Sequence, residues 1–308
     1  MTQSQAVTAN TTTNTIFLVW QFNDADKTAI KAAFADVVGI MGNLNNSIKI
    51  RYPKADASIT LGVGFDAWQT LGLPDKMPAQ FEKFAPIVGQ THTAVSTAGD
   101  LHFHIRADEP SLCIDLAGHI SDALRDVATI LEEIHGFRYW DGRSILGFVD
   151  GTENPQGDER AEFAIIGEED ADYAGGSYLF VQKYIHDMTA WKALPVHEQE
   201  KVIGRSKQDD IEMSDDIKPS NSHASLANVG EELRIVRDNM PFGSVASNEM
   251  GTYFIAYARY FSTVKLMLER MFIGEPVGNH DRILDFSTAK TGTLFFVPTL
   301  DMLDEWVE

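Results

Sequence analysis

Residues 16–41, IFLVWQFNDADKTAIKAAFADVVGIM, contain two patterns in direct succession. The first seven residues are almost all apolar, as in a buried strand. Asn23 and Asp24 follow, and both residue types are common where a helix begins. Beyond them, apolar residues recur every three or four positions, at Ile30, Phe34, Val37, Val38 and Met41. The segment therefore predicts a buried strand followed by an amphipathic helix.

The same order of strand, capping residue and helix returns along the chain. Its later strands are SITLGVGF (58–65), LHFHIRA (101–107), SYLFVQKYI (177–185) and TYFIAYARY (252–260). The helix after LHFHIRA is predicted to run to residue 131. Further strands are predicted at IKIRY (48–52), GFRYW (136–140), ELRIVRD (232–238) and TLFFVP (293–298). The order is close to two copies of βαββαβ, so we predict an α+β protein of duplicated ferredoxin-like domains with antiparallel sheets.

The domain boundary is expected in the glycine- and aspartate-rich segment at residues 140–159. We predict an N-terminal domain over residues 15–145 and a C-terminal domain over residues 146–308. Residues 1–14, MTQSQAVTANTTTN, have the composition of a disordered polar tail. Residues 204–230 form a long polar stretch with little periodicity, and such a loop inside a domain is usually functional or disordered.

Charge and composition exclude several classes of function. The formal net charge is -20, which makes nucleic acid and anionic membranes unlikely partners. No secretory signal and no apolar run of about 18 residues is present, so we expect a cytoplasmic protein. Cys113 is the single cysteine, which rules out an intramolecular disulfide and a cysteine-rich metal site. We expect Cys113 to be a small buried residue on a helix.

The stretch GFVDGTENP (147–155) concentrates turn-forming residues around one carboxylate, Asp150. A calcium loop would need glycine where Pro155 stands and glutamate where Ala161 stands, so that reading fails. A phosphate loop would need a Gly-Lys-Ser/Thr ending, which the chain lacks. What remains is an acid-bearing turn whose partners come from elsewhere.

Among nine histidines, three could bind a ligand on their position alone. His102 and His104 share a face of a probable strand, where packing is a more frequent role than metal binding. His223 lies in the long polar loop and is a reasonable ligand candidate, although a solvated histidine is the commoner case. Arg237 and Asn239, two apart near a strand end, share a face as well.

Taken together, GFVDGTENP, IGRSK (203–207), a loop histidine and RIVRDNMPFG (234–243) resemble the motifs of dye-decolourising peroxidases. The likeness runs from residue 16 to the end, and the family has a duplicated ferredoxin-like fold. It implies one haem b per chain in the C-terminal half, with His223 as the metal ligand of the iron. It further implies a peroxidase that reduces hydrogen peroxide and oxidises bulky aromatic, dye-like reductants through a ferryl intermediate.

The resemblance also assigns the remaining site residues. Asp150 becomes the distal carboxylate, Arg237 the distal arginine and Asn239 a second distal polar group. Asp285 is the candidate acid that accepts a hydrogen bond from the proximal imidazole, and Arg205 is a candidate partner of a haem propionate. Gly147 and Gly151 are expected to let the backbone pass close to the flat macrocycle.

Other functions on the same fold stay open at this point. A haem carrier or sensor would bind haem with little turnover, and a deferrochelatase-like protein would release iron from haem. The chain resembles the compact intracellular bacterial branch of the family, in which we expect a homo-oligomer of two or more chains. Some members of that branch carry a C-terminal extension that targets a protein shell; this sequence ends at DMLDEWVE, which speaks against encapsulation.

Overall fold

The computed structural model describes residues 3–308 and shows strands alternating with helices in both halves of the chain. The N-terminal half contains β1 (Asn14–Phe22), α1 (Lys27–Arg51), β2 (Ser58–Gly64), α2 (Phe65–Leu71), β3 (Ile87–Val88), β4 (Thr93–Ala94), β5 (Leu101–Ala107), α3 (Pro110–Leu124) and β6 (Ala128–Phe137). Cys113 is buried in α3, as expected, and burial raises the pKa of its thiol to about 11.

The C-terminal half begins with α4 (Glu159–Ala164) and a 3-10 helix at Glu168–Tyr173. It continues with β7 (Ser177–His186), α5 (Met188–Ala193), α6 (Val196–Ile203), α7 (His223–Ala227), β8 (Val236–Arg237), β9 (Met240–Ser244), β10 (Glu249–Ala258) and α8 (Phe261–Phe272). A second 3-10 helix at Arg282–Asp285 precedes β11 (Ser287–Ala289), β12 (Thr293–Val297) and α9 (Leu300–Val307). Within residues 3–308, no helix combines the length and apolar character needed to cross a bilayer.

Ten strands form one antiparallel sheet in the order β6-β1-β5-β2-β12-β7-β10-β8, with β11 beside β7 and β9 beside β10. The first four positions belong to the N-terminal half and the next four to the C-terminal half. In each set the strands appear in the order fourth, first, third, second. This repeated order confirms the prediction of a duplicated ferredoxin-like α+β fold.

The two halves meet inside the sheet, where β2 pairs with β12. Phe295 lies opposite Gly64, and Phe296 lies opposite Val63. The ring of Phe296 also contacts the ring of Trp68, with 5.9 Å between the centroids. The predicted boundary between residues 145 and 146 lies in the loop between β6 and α4.

Four elements differ from the sequence-based expectation. IKIRY was predicted as a strand, but α1 continues through Arg51 because Met41 and Ile48 keep a helical spacing and both are buried. The helix predicted to reach residue 131 ends at Leu124, and residues 128–131 open strand β6. Only two residues of GFRYW and two of ELRIVRD lie in strands. Short apolar runs are compatible with the spacing of apolar residues in a helix and with their spacing in a strand, and tertiary contacts decide which of the two forms.

The expected disordered tail is wrong for residues 3–13. Val7 is buried, and the side chain of Gln5 makes three buried hydrogen bonds. Its Nε2 donates to the carbonyls of Leu61 and Pro298, and its Oε1 accepts from the Leu61 amide. A polar composition predicted disorder, but here the polar groups satisfy backbone atoms where the two halves join. Residues 1 and 2 lie outside the described residues.

Candidate active site

A cavity in the C-terminal half lies between the turn at residues 147–155, α7, α8 and the ends of β7 and β10. It is open to solvent on one side, and an adjoining cleft shares several of its walls. Its apolar lining consists of Leu146, Phe148, Ile203, Phe254, Val264, Met267, Leu268, Met271 and Ile283. A largely apolar cavity with a few polar groups is typical of a cofactor site.

The turn at residues 147–155 is shaped by glycine and held by one side chain. Gly147 and Gly151 have φ values of 94° and 83°, a region that other residues rarely adopt. Asn154 Nδ2 donates to the carbonyl of Arg237 at 2.8 Å, and the Arg237 amide donates back to Asn154 Oδ1 at 2.9 Å. The reciprocal bonds fix the turn to β8. Asn154 was not anticipated as a positioning residue, although it belongs to the quoted motif.

These bonds bring Asp150, Arg237 and Asn239 into the wall of one cavity. The Asn239 amide nitrogen lies 3.5 Å from each carboxylate oxygen of Asp150, while its Oδ1 accepts from the Ile255 amide at 3.2 Å. Within residues 3–308, Arg237 has no carboxylate within ion-pair distance, and its buried Nε has no hydrogen-bond partner. A half-buried guanidinium without a counter-charge indicates a site for a negatively charged group.

His223 faces the same cavity from the first turn of α7. Its Nδ1 lies 2.7 Å from Oδ2 of Asp281, a carboxylate with no exposed surface. The other oxygen of Asp281 accepts from the Ile283 amide at 3.0 Å. Because a carboxylate accepts, Nδ1 carries the hydrogen, and Nε2 keeps its lone pair. This is the tautomer that a histidine needs in order to bind a metal through Nε2.

The assignment of Asp285 as the partner of the proximal imidazole is wrong. Its Oδ1 accepts hydrogen bonds from His92 Nε2 at 2.9 Å and from His280 Nε2 at 3.0 Å. Partial burial acts to raise the pKa of Asp285, but the bonds from His280 and His92 outweigh it and lower that pKa. The acid that bonds to His223 is Asp281. Asp281 is the capping residue of the 3-10 helix, and its carboxylate is held by the Ile283 amide.

Arg205 lies at the mouth of the cleft, but its charge is already compensated. Its guanidinium contacts Asp210 at 2.8 Å, Glu212 at 3.0 Å and Glu153 at 3.3 Å. Three carboxylates around one arginine leave little attraction for a further anion. This environment weighs against the propionate role that the resemblance implies for Arg205.

The remaining histidines of interest are buried and neutral. His186 lines the cavity between Ser287 and Thr252, and burial lowers its pKa to about 4. Burial alone lowers the pKa of His102 to about 3, and burial followed by Arg106 lowers that of His104. His102 and His104 lie within β5 with no exposed surface, so they pack in the sheet and form no metal clamp.

The cavity fits a haem in three respects that this structure shows. Its walls are largely apolar, His223 lines it with Nδ1 held by a carboxylate and Nε2 not so engaged, and Arg237 supplies an uncompensated positive charge. An imidazole held by a carboxylate is a common iron ligand. Asp150, Arg237 and Asn239 add the polar groups that chemistry at the metal would use.

Comparison with known proteins covers nearly the whole chain. The family model for the N-terminal domain of Dyp-type peroxidases matches residues 4–138, and the model for their C-terminal domain matches residues 141–302. The dye-decolorizing peroxidase of Rhodococcus erythropolis is 49% identical over 294 residues, which span 94% of this chain and 85% of that protein.

Solved structures share the fold. A dye-decolorizing peroxidase from Bacteroides thetaiotaomicron has a TM-score of 0.96 and 51% identity, covering 100% of this chain and 99% of that chain. A DypB variant from Rhodococcus jostii RHA1 in complex with haem has a TM-score of 0.91 and 45% identity, covering 98% and 97%. The encapsulated DyP-type peroxidase from Mycobacterium smegmatis has a TM-score of 0.92 and 46% identity, covering 99% and 98%. The chain therefore belongs to the Dyp-type peroxidase family of haem-dependent oxidoreductases.

Proposed function

We propose that this peroxidase binds one haem b per chain in the cavity, with His223 Nε2 as the iron ligand, and uses hydrogen peroxide to oxidise bulky aromatic reductants. The observation that carries the proposal is the convergence of His223, Asp150, Arg237 and Asn239 on one apolar cavity. The name of the relatives, dye-decolorizing peroxidase, supports the choice of reductant.

Asp150 and Arg237 have different tasks in this proposal. Bound haem supplies the iron that accepts oxidising equivalents from peroxide. Cleavage of the O–O bond requires a proton to move from one peroxide oxygen to the other, and the Asp150 carboxylate can take and return that proton. Negative charge develops on the departing oxygen, and the permanently charged guanidinium of Arg237 stabilises it.

Asn239 and Asp281 act by holding these groups in place. The Asn239 amide faces both oxygens of Asp150, while its own oxygen is fixed by the Ile255 amide, so it orients the carboxylate. Asp281 fixes the ring of His223 and makes its Nε2 more basic. Of the two glycines expected beside the macrocycle, Gly151 lines the cleft that adjoins the cavity and lets the turn lie there without a side chain in between. The expectation for Gly147 is wrong, because a Cβ on Gly147 would meet the Lys207 side chain at 2.7 Å and the residue lines neither space.

The absorbance spectrum of the purified protein, before and after one equivalent of hydrogen peroxide, tests this proposal. We expect a Soret band that changes at once on addition of peroxide and returns when an aromatic dye is oxidised. A Soret band that is unaffected by peroxide would indicate a haem carrier or sensor. Loss of the Soret band with appearance of metal-free porphyrin fluorescence would indicate iron release.

Association of chains belongs to the same proposal. The sheet of residues 3–308 ends at β6 on one side and, on the other, at the short strands β8 and β9, which both pair with β10. Open edges of this kind are commonly covered by another chain or element. We expect light scattering to give at least twice the chain mass of 34.2 kDa, and a value equal to that mass at micromolar concentration would contradict it.

A further inference from the structure

A second histidine–carboxylate cluster lies outside the haem cavity. The ring nitrogens of His92 and His280 and a carboxylate oxygen of Asp285 all lie within 4.8 Å of one another. Asp285 Oδ1 is 2.9 Å from His92 Nε2 and 3.0 Å from His280 Nε2. The two imidazole rings meet edge to face, with 4.8 Å between their centroids.

The backbone holds this cluster from two directions. His92 follows the turn of the β3–β4 hairpin, in which the Gly89 amide donates to the His92 carbonyl at 2.9 Å. A Cβ on Gly89 would lie 1.9 Å from the Phe272 carbonyl oxygen, so this turn is packed tightly against the end of α8. His280 precedes the 3-10 helix at Arg282–Asp285, and Asp285 is the last residue of that helix, whose capping residue Asp281 is buried.

The cluster differs from the other histidine–carboxylate pairs on the surface. His119, His135 and His197 each face one carboxylate and have side chains that are 52%, 53% and 68% exposed. His92 and His280 share one carboxylate oxygen and are only 23% and 22% exposed. Among residues 3–308, this is the one group of three such side chains whose ligand atoms are close enough for a shared ion.

The ligand chemistry favours one class of ion. Two imidazole nitrogens and one carboxylate oxygen suit Zn²⁺ and its neighbours in the first transition series, whereas Ca²⁺ and Mg²⁺ prefer oxygen ligands alone. Tetrahedral ligands at 2.0–2.2 Å from zinc are roughly 3.4 Å apart. The nitrogen–oxygen distances of 2.9 and 3.0 Å reach this spacing with shifts of a few tenths of an ångström.

We propose that His92, His280 and Asp285 form a binding site for a divalent transition-metal ion of the Zn²⁺ class, with the remaining coordination position open to water. The ion replaces the two hydrogens that the imidazoles now donate to Asp285, so binding releases two protons if both rings are neutral. The site joins a hairpin of the N-terminal half to a segment of the C-terminal half. It is separate from the haem cavity, and it adjoins Asp281 only through the backbone.

Isothermal titration of the untagged holoprotein with zinc chloride, after dialysis against a chelator, tests this site. We expect one strong zinc site per chain that is weakened at least about 10-fold in His92→Ala and in Asp285→Ala. His135→Ala, which removes a histidine from an exposed pair with Glu133, is the matched control and should bind zinc as the parent does. Zinc X-ray absorption should show imidazole nitrogen ligands at about 2.0–2.1 Å.

The outcomes separate this inference from the proposed haem function. Unchanged zinc affinity in both variants, or no strong zinc site in the parent, would overturn the metal site. The haem Soret band of His92→Ala should stay at the parent position and intensity, since His92 does not line the cavity. Because zinc binding is measured by heat and haem binding by absorbance, failure of either assignment leaves the other one intact.

Discussion

His223 and His104 both lie beside a buried aspartate, but the two pairs have different surroundings. His104 Nε2 is 3.5 Å from Asp238, and its Nδ1 is 2.9 Å from the hydroxyl of Tyr257. Arg106 contacts the same carboxylate oxygen of Asp238 at 3.0 Å, so an arginine compensates that charge. Neither ring nitrogen of His104 reaches a cavity, and the ring stays neutral in the sheet.

The His223–Asp281 pair has no such arginine. The ring and the carboxylate are 2.7 Å apart, and within residues 3–308 Asp281 has no lysine or arginine at ion-pair distance. The carboxylate therefore acts on the imidazole alone, and the opposite ring nitrogen is left toward the cavity. The difference supports the proposed role of His223, because of the two histidines only His223 combines an acid that no arginine shares with an open side of the ring.

Separate substitution of His223 and of His104 should give the largest difference in haem content. His223→Ala should lower haem content at least about 10-fold, because the iron loses its protein ligand. His104→Phe should keep its haem and lose only stability. The ratio of haem to protein, measured by the pyridine haemochromogen method, checks both. Full haem content with an unchanged Soret band in His223→Ala would reject the ligand assignment, and His280 would be tested next.

The same comparison applies to two arginines. Arg106 contacts the carboxylate of Asp238, whereas Arg237 has no carboxylate at ion-pair distance within residues 3–308. Arg237→Leu should slow the reaction with peroxide about 100-fold, since charge stabilisation is usually the largest contribution. Asp150→Asn should slow it less, because water can replace a proton carrier. Stopped-flow absorbance after mixing with excess peroxide measures both rates. Our ranking fails if Arg237→Leu reacts at the parent rate while Asp150→Asn does not.

Substitution of Asp281 is expected to weaken haem binding less than substitution of His223, the residue to which Asp281 bonds. Asp281→Asn keeps an acceptor for His223 Nδ1 but removes its charge, so haem affinity should fall about 10- to 100-fold. The rate of haem transfer to excess apomyoglobin measures haem dissociation, which should accelerate by about the same factor if the association rate is unchanged. Asp285→Asn is the matched control four residues along the chain, and its haem should dissociate at the parent rate. Equal effects of the two changes would contradict the assignment of Asp281.

Acid should lower the free energy of unfolding through His102, a buried histidine of the sheet. The pKa of His102 is lowered to about 3, so in the unfolded chain this residue takes up a proton below pH 6.5, but in the folded chain it does not. Its stabilising contribution is complete above pH 6.5 and is lost as the pH falls toward 3. At pH 5 the loss is about 2 kcal/mol. His102→Phe should therefore lose about 2 kcal/mol less than the parent between pH 7.5 and pH 5, as measured by urea unfolding.

An identical loss of stability in His102→Phe and in the parent would show that this histidine is protonated in the folded protein. The difference between the two proteins matters more than the absolute loss, because the many carboxylates of the chain contribute equally to both.

The sequence predicted the fold where periodicity was long and unambiguous. The apolar runs of β1, β2, β5, β7, β10 and β12 all became strands. IKIRY failed because alternation over five residues cannot outweigh burial of Ile48 on a helix that has already begun. The start of β6 was missed because its apolar residues follow α3 with only a short break.

The site was predictable in its residues but not in their pairing. Asp150, Arg237, Asn239 and His223 were named from motifs, and all four line one cavity. The choice between Asp281 and Asp285 depends on the direction in which a short 3-10 helix presents each carboxylate, and no local pattern encodes that direction. The carboxylates that neutralise the charge of Arg205 were likewise not predictable, because their positions depend on how residues 205–212 fold back on Glu153.

From the pairing of β2 with β12 we expect that neither half of the chain is stable by itself. A fragment of residues 1–145 would expose the outer edge of β2, six of whose seven residues are buried in the whole protein. An uncovered apolar edge of this length recruits strands from other molecules, so such a fragment should aggregate on expression. The two domains thus repeat one architecture, but we expect each to need the other in order to stay soluble during expression.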